Sequence, residues 1–345
     1  MYKREILEPA LSPVKDGTFV EGTWNRAFRD VDLLGTHKPY SIPLPRWARE
    51  GRLKEWESFV VQNNRYHLDA FLANLKYFRI AQLVLYDKES GERFRFRKIL
   101  PLSGWRLPRN LYNDSIDSRS QRFFFRIHNW LDAETIRIDI DVEARRKRPA
   151  FTCQLTFNAA SVPQVTAWRR NDLPFYTYKI VSSVSGDMVW NGKHIVFRPE
   201  ETSGFFRDNK GFCRYLSSFL WCTAAGIDEN NRHYGFSLVG QSAGNSSKNN
   251  ENAFWIGGKT TPLPPVRITM PNGIGESWVI QDLEGMVDLS FSPRVKVRSA
   301  FNFLVFSADY QTPLGHFSGF LLNSEGERIQ IRGLWGLGEK LSLRV

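Results

Sequence analysis

The stretch Thr135-Ile136-Arg137-Ile138-Asp139-Ile140-Asp141-Val142 alternates apolar and charged side chains with a period of two. A strand sends successive side chains to opposite faces, so the three isoleucines share one face and Arg137, Asp139 and Asp141 the other. Residues 151–157 repeat the pattern through Phe151, Cys153, Leu155 and Phe157. Working outward, runs rich in aromatic and β-branched residues at 56–61, 66–70, 79–86, 93–99 and 123–128 are separated by turn residues such as Asn63-Asn64 and 87–91. Asn191-Gly192, between 188–190 and 193–197, is the strongest short hairpin signal, since both residues tolerate the positive φ of a type I′ turn. Strands resume at 278–282, 286–291, 300–308, 315–322 and 328–332. Residues 115–121 read as one helical turn and 262–271 as a proline-rich connector.

Composition agrees with this reading. Of 345 residues 14% are aromatic, including 26 Phe and 11 Trp, a bias that suits pleated, half-buried surfaces. Residues 1–50 carry Pro9, Pro13, Pro39, Pro43 and Pro45, which withhold ladder donors, so they form an extended arm anchored by Trp24 and Phe28. Gly91-Glu92-Arg93-Phe94-Arg95-Phe96-Arg97 is echoed by Gly326-Glu327-Arg328-Ile329-Gln330-Ile331-Arg332. With the chain length, the echo favours an all-β fold of two tandem antiparallel units, each a barrel or curled sheet, at 51–190 and 191–345 behind the arm at 1–50.

The net charge of +11 admits anionic surfaces or acidic ligands, but no helix-turn-helix, zinc-finger or RNP-type signature marks a specific nucleic-acid binder. Arg145-Arg146-Lys147-Arg148 reads as a solvated turn, and Arg93, Arg95 and Arg97 as the outward face of a strand. Cys153, Cys213 and Cys222 sit in apolar strands and are expected as free thiols of a reducing compartment, with a Cys213–Cys222 bridge as the alternative. The first residues lack the apolar core of a signal peptide and no apolar run approaches the ~20 residues of a membrane span, so the expected location is cytoplasmic.

Function concentrates in residues 197–254, FRPEETSGFFRDNKGFCRYLSSFLWCTAAGIDENNRHYGFSLVGQSAGNSSKNNENAF. Arg207, Asp208 and Lys210 stand between glycines, Trp221 heads an apolar strand, and a polar loop ends in Glu251-Asn252: groups suited to a pocket at a barrel mouth. Asp208 and Glu251 are the acid candidates, because burial raises a carboxyl pKa and readies it to protonate an alkene or polarise a carbonyl. A salt bridge from Asp208 to Arg207 or Lys210, and a loop-closing hydrogen bond from Glu251, are the structural alternatives. Arg207, Lys210 and Arg214 suit a carboxylate or phosphate. Trp221, Trp255 and Trp278 either line a pocket or fill the core. None of the six histidines pairs at metal-ligand spacing, so no metal and no cofactor is expected; His316 is the one best placed for proton transfer. Gly240-Gln241-Ser242-Ala243-Gly244 matches the spacing of a nucleophile elbow but lies in a polar loop with no following helix, which discounts a hydrolase.

Residues 52–56 (RLKEW) and 83–91 (LVLYDKESG) resemble the first half of the DUF2804 family. FRPE at 197–200, SGFFRDNKGFCRY at 203–215, Trp221, NNEN at 249–252 and GHFSGFLLNSEGERIQIRGLWGLGEK at 315–340 resemble its second half. The family is uncharacterised, and its second half is similar to tandem lipocalin-like proteins that include carotenoid hydratases, tocopherol-cyclase relatives, stress-survival factors and fungal Diels–Alder cyclases. The resemblance implies two lipocalin-like (calycin) barrels with an apolar pocket at or near their junction, and it also places Glu-Asn at 251–252. Many members carry Asp-Trp-Gly-Arg where this chain has Arg207-Asp208-Asn209-Lys210. Alignment on Gly204 and Gly211 sets Lys210 at the arginine and moves the acid by one residue, which in a strand turns it to the other face. The expectation is a protein that binds an apolar or isoprenoid-like small molecule, with Asn252, Trp255 and Trp278 among its contacts. It either couples binding to hydratase, cyclase or isomerase chemistry through Asp208, Glu251 and His316, or acts as a lipid carrier or stress-protective protein without chemistry.

Overall fold

The computed structural model describes residues 2–100, 107–146, 148–240, 250–303 and 306–344. The arm holds β1 (Val14–Lys15), β2 (Thr18–Phe19), β3 (Gly22–Trp24) and the short helix α1 (Arg46–Arg52). The first sheet follows with β4 (Leu53–Gln62), β5 (Tyr66–Asn74), β6 (Arg79–Asp87), β7 (Arg93–Leu100), β8 (Asp114–Ser120) and β9 (Phe123–Trp130). It continues through β10 (Thr135–Val142), β11 (Phe151–Ala159), β12 (Gln164–Arg170), β13 (Leu173–Trp190), β14 (Lys193–Phe197) and β15 (Ser203–Phe212). The second sheet comprises β16 (Leu216–Ile227), β17 (His233–Val239), β18 (Ala253–Ile256), β19 (Lys259–Pro262), β20 (Val266–Thr269) and β21 (Trp278–Asp282). Its last strands are β22 (Val287–Val295), β23 (Arg298–Phe303), β24 (Phe306–Gln311), β25 (Leu314–Leu322) and β26 (Arg328–Arg344).

Among the described residues the paired strands of the two sheets run antiparallel, apart from isolated parallel bridges. The first sheet runs β7-β6-β5-β4-β15-β13-β11-β10-β9-β8. It curls until its two edges approach, where Lys98 Nζ donates to Ser120 Oγ at 2.6 Å and Phe96 stacks on Phe123. The second runs β19-β18-β17-β16-β26-β25-β22-β21-β20, and a bridge between Gly240 and Val266 brings its ends together. The chain is thus all-β, built of two curled antiparallel sheets. They divide between Phe212 and Leu216, so β14 and β15 belong to the first sheet and not to the 191–345 unit expected from the sequence.

The local chemistry explains the strands. Asn191 and Gly192 take φ of 52° and 74° and join β13 to β14 as a two-residue hairpin. At Gly186, with φ 130°, a Cβ would meet the Gln154 carbonyl oxygen at 2.1 Å, so only glycine lets the 18-residue β13 lie against β11 there. Residues 115–121 are not helical: Asp114–Ser120 pairs with β9, because Ile116 and Ser118 bury on the face where Asp117 and Arg119 do not. The proline-rich connector contains an edge strand, Val266–Thr269, and the expected strand at 300–308 is the hairpin β23–β24. All three cysteines are free and buried.

The core has three parts. One apolar cluster lies inside the first sheet, holding Phe59, Phe125, Phe157, Tyr178 and Phe206, and another inside the second, holding Phe236, Trp278, Phe291 and Phe317. Between the sheets, Phe175, Val181 and Phe205 from the first meet Trp221, Trp255 and Trp335 from the second. The units therefore pack back to back, and the outer face of each sheet at the seam is as buried as its inner face. The arm ties them together: β3 pairs with β12, Trp24 and Phe28 are buried, and Arg4 donates to Asn250 O (2.6 Å) and Leu263 O (2.9 Å) of the second unit.

Candidate functional site

Strand β15 decides where the polar groups go. Its alternation sends Phe205, Arg207 and Asn209 towards the seam, and Phe206, Asp208 and Lys210 into the first unit, although all ten of its residues are buried. Cross-strand partners share a face. Ser58 on β4 and Lys179 on β13 therefore join Arg207, while Glu57 and Tyr178 join Asp208.

At the seam, Arg207 grips Glu339 of β26 in bidentate fashion, Nη1 to Oε2 at 2.8 Å and Nη2 to Oε1 at 2.5 Å. Its Nε donates to Ser58 Oγ at 2.6 Å, and the Tyr310 hydroxyl donates to Glu339 Oε1. Burial works against the arginine charge, but the attraction and hydrogen bonds of Glu339 more than offset it and raise its pKa. Burial, then Glu339, raise that of Tyr310, which keeps its proton. This group forms the polar end of a narrow cleft between the units, about 80 Å³ in volume. The walls are apolar: Trp56, Phe71, Ile80, Trp221, Phe301 and Leu341 among them. A smaller void shares Ser58, Phe71, Arg207, Tyr310 and Glu339 with the cleft and adds Asp69 of β5. Burial first, then the nearby Glu339, push the Asp69 carboxyl up to about 7, against the pull of Arg207 and Arg95. A carboxyl held near neutrality can both give and take a proton.

Further along the seam, Glu251 pairs with Lys179 at 2.8 Å and with Arg170 at 3.7 Å. Lys179 also donates to Ser237 Oγ at 2.9 Å, and Arg170 lies 4.1 Å over the Phe219 ring and 5.4 Å from that of Trp221. Arg207 lies near enough to Glu251 and Lys179 to influence both electrostatically.

Inside the first unit the balance differs. Glu57 and Asp208 are register partners, fully buried, with Lys210 3.7 Å from Asp208 and donating to the Pro108 carbonyl. Asn129 Nδ2 donates to Glu57 Oε1 at 2.9 Å, while Glu57 Oε2 and both Asp208 oxygens have no hydrogen-bond partner among the described residues. Burial, then Asp208, hold the Glu57 carboxyl well above its usual range; burial pushes Asp208 to about 6 despite Lys210. One proton shared between the two acids is the economical state. Pro108 also lines a polar groove at the mouth of this unit, with Asp32, Glu55, Lys76, Arg109 and Asp114.

The structure thus brings together Arg207 and Trp221 in the cleft wall, with Glu251 and Trp255 elsewhere in the same seam. Asn252 is a loop clamp: its Oδ1 accepts from Val239 N at 2.7 Å and its Nδ2 donates to Pro264 O at 2.8 Å. Trp255 donates from Nε1 to Val162 O at 3.1 Å and packs edge-on against Phe205. His316, half-buried at the seam, lies 4.9 Å from the Trp335 ring with Nδ1 2.9 Å from Gly333 O. Asp208 and Lys210 face the other way, and Trp278 lies in the core of the second unit, Nε1 donating to Ile274 O at 3.0 Å. Arg214 is exposed beside Asp172. Residues 241–244 of the elbow-like spacing, Asn249 and Lys147 fall outside the described residues. Among the described residues no cluster of His, Cys, Asp and Glu could hold a metal ion, and no helix is long and apolar enough to cross a membrane.

Sequence reasoning missed Asp69, Tyr310, Glu339 and Glu57. The signal was present for two of them. Trp335, Leu337, Glu339, Leu341 and Leu343 form one period-two row in which Glu339 is the lone charge, and Glu57 interrupts a row with Phe59 and Val61.

The family model of DUF2804, a domain of unknown function, matches residues 4–344. No curated protein matches the sequence. Among solved structures the fold is similar to kievitone hydratase from Nectria haematococca, with TM-score 0.55, 11% identity, and 84% of this chain and 88% of that one covered. A putative AttH from Nitrosomonas europaea superposes with TM-score 0.48 at 13% identity over 85% of this chain and 92% of that one.

Proposed function

We propose that the chain, which belongs to the DUF2804 family, binds an apolar small molecule in its seam cleft and moves a proton there. The carrying observation is the meeting of apolar walls with a buried acid–base set: Arg207, Tyr310 and Glu339 at the cleft and Asp69 behind them. Few convergent polar groups in an apolar recess orient a ligand, and the dry surroundings strengthen every charge they hold. Asp69 is the proton source. Burial first, and then the nearby Glu339 that Arg207 and Tyr310 hold in place, raise the Asp69 pKa to about 7, so that part of it carries a proton at neutral pH. This set would protonate an alkene or carbonyl in a hydration, cyclisation or isomerisation, and the likeness in fold to a hydratase is compatible with it.

The neutral fluorophore N-phenyl-1-naphthylamine tests the cleft directly. It should bind and quench the indoles of Trp56 and Trp221. Ala308→Phe, which fills the cleft wall, should abolish that binding while far-UV dichroism stays unchanged. Probe affinity indifferent to Ala308→Phe in a folded variant would overturn the assignment.

A further inference from the structure

The mouth of the cleft carries an unusual row. On β7, Phe94 and Phe96 point into the first unit, stacking on Phe151 and Phe123, so Arg93, Arg95 and Arg97 take the other face. That face turns towards the second unit. Arg93 Nη1 donates to Lys296 O at 3.5 Å, Arg95 Nη2 to Ser299 Oγ, and Arg97 lines the cleft itself. Among the described residues none of the three forms a salt bridge. They feel one another: after burial, Arg97 and Arg93 are what lower the Arg95 pKa. The carboxyl within electrostatic reach of Arg95 is Asp69, which lies deeper and is itself biased towards its neutral form.

Three like charges at alternate positions of one strand repel, and each forgoes the pairing that would relieve it. An anion seated between them gains from all three, with the planar forks of arginine suited to carboxylate and phosphate oxygens. The cleft behind them is apolar. We infer that the molecule bound in the cleft is an apolar chain or ring system bearing a carboxylate or phosphate head, its head at Arg95 and Arg97 and its tail against Trp56, Phe71 and Trp221. This rests on the cleft being the binding site, and it adds the class of ligand.

Displacement of N-phenyl-1-naphthylamine by laurate, lauryl phosphate and lauryl alcohol separates the two claims. Laurate or lauryl phosphate should displace the probe at least tenfold more tightly than the alcohol at low ionic strength, with the larger of the two advantages identifying the head group. The margin should shrink with added salt. In Arg95→Gln/Arg97→Gln, two exposed positions, the advantage should fall below twofold while the affinity for lauryl alcohol stays unchanged. Equal affinity of all three for the wild type overturns the anionic head and leaves the cleft assignment standing. Displacement by inorganic phosphate as effective as by lauryl phosphate overturns the tail. Failure of the probe to bind, or its indifference to Ala308→Phe, removes the site on which both rest.

Discussion

The two faces of β15 bury charge to the same depth and balance it differently. On the seam face Arg207 meets Glu339 with two short hydrogen bonds, a third to Ser58, and Tyr310 completing the carboxylate's shell. On the inner face Asp208 and Glu57 stand side by side, with Lys210 at 3.7 Å and three carboxyl oxygens without hydrogen-bond partners among the described residues. Burying an ion costs several kcal/mol unless partners replace its water. The seam face meets that condition with geometry; the inner face meets it by keeping a proton. The contrast explains why an ion pair stands at the cleft while the two neighbouring acids of the inner face have raised pKa values.

The sharpest way to break the comparison is to remove one partner on the seam face. Arg207→Met leaves the Glu339 carboxylate buried without its fork and should cost about 3–5 kcal/mol, read as a fall in the urea midpoint. Arg207→Met/Glu339→Leu should recover most of that loss, because two apolar groups need no solvation. If the double variant is as unstable as the single one, the pair holds the seam by shape and not by charge balance.

The next test uses pH. A carboxyl whose folded pKa is raised is penalised by nothing below its unfolded value and by the full amount above its folded one. For Asp69 those limits are 3.8 and about 7. The folded state binds the extra proton between them, so wild-type stability should decline as pH rises from 4 to 7, by on the order of 2–4 kcal/mol from this group. Asp69→Asn should flatten that decline and be the more stable protein at pH 8. Parallel slopes for the two proteins would show that Asp69 ionises normally and cannot be the proton source.

Much of this was legible in the sequence, and the limit has a physical form. The alternation at 135–142 gives the strand over the same residues, and Asn191-Gly192 gives its hairpin, because both are local. Alternation also separates Arg207 from Asp208. What alternation does not state is which face is solvated. Here neither is, since the seam buries the outer face, so Arg93, Arg95 and Arg97 look outward and in fact look across at the second unit. Asp69 and Glu339 are 270 residues apart and meet only through that packing. The boundary after 190 misplaced β14 and β15 for a related reason: the strongest turn lies within the first sheet, whereas the chain passes between sheets in the short segment 213–215.

The smallest expected effect sharpens the inner face. Burial sets the Asp208 pKa at about 6 from an ordinary 3.8, with Lys210 opposing and Glu55 assisting. The sign is that of Asp69 over a narrower window: stability from this group is lost between pH 4 and 6 and the loss is complete above. Asp208→Asn should therefore stabilise the protein at pH 7.5 by on the order of 1–2 kcal/mol and leave it unchanged near pH 4. The neighbouring acid, Glu57, gives a second reading. Removing the Asp208 charge removes the second-largest cause of the Glu57 shift, so the Glu57 carboxyl should titrate at lower pH, which carbon-detected NMR of labelled glutamate would follow. A stabilised Asp208→Asn with an unmoved Glu57 would mean that the two acids are penalised separately by burial and do not share a proton. If both move, the inner face is a single proton-holding pair, and the two faces of β15 differ in kind.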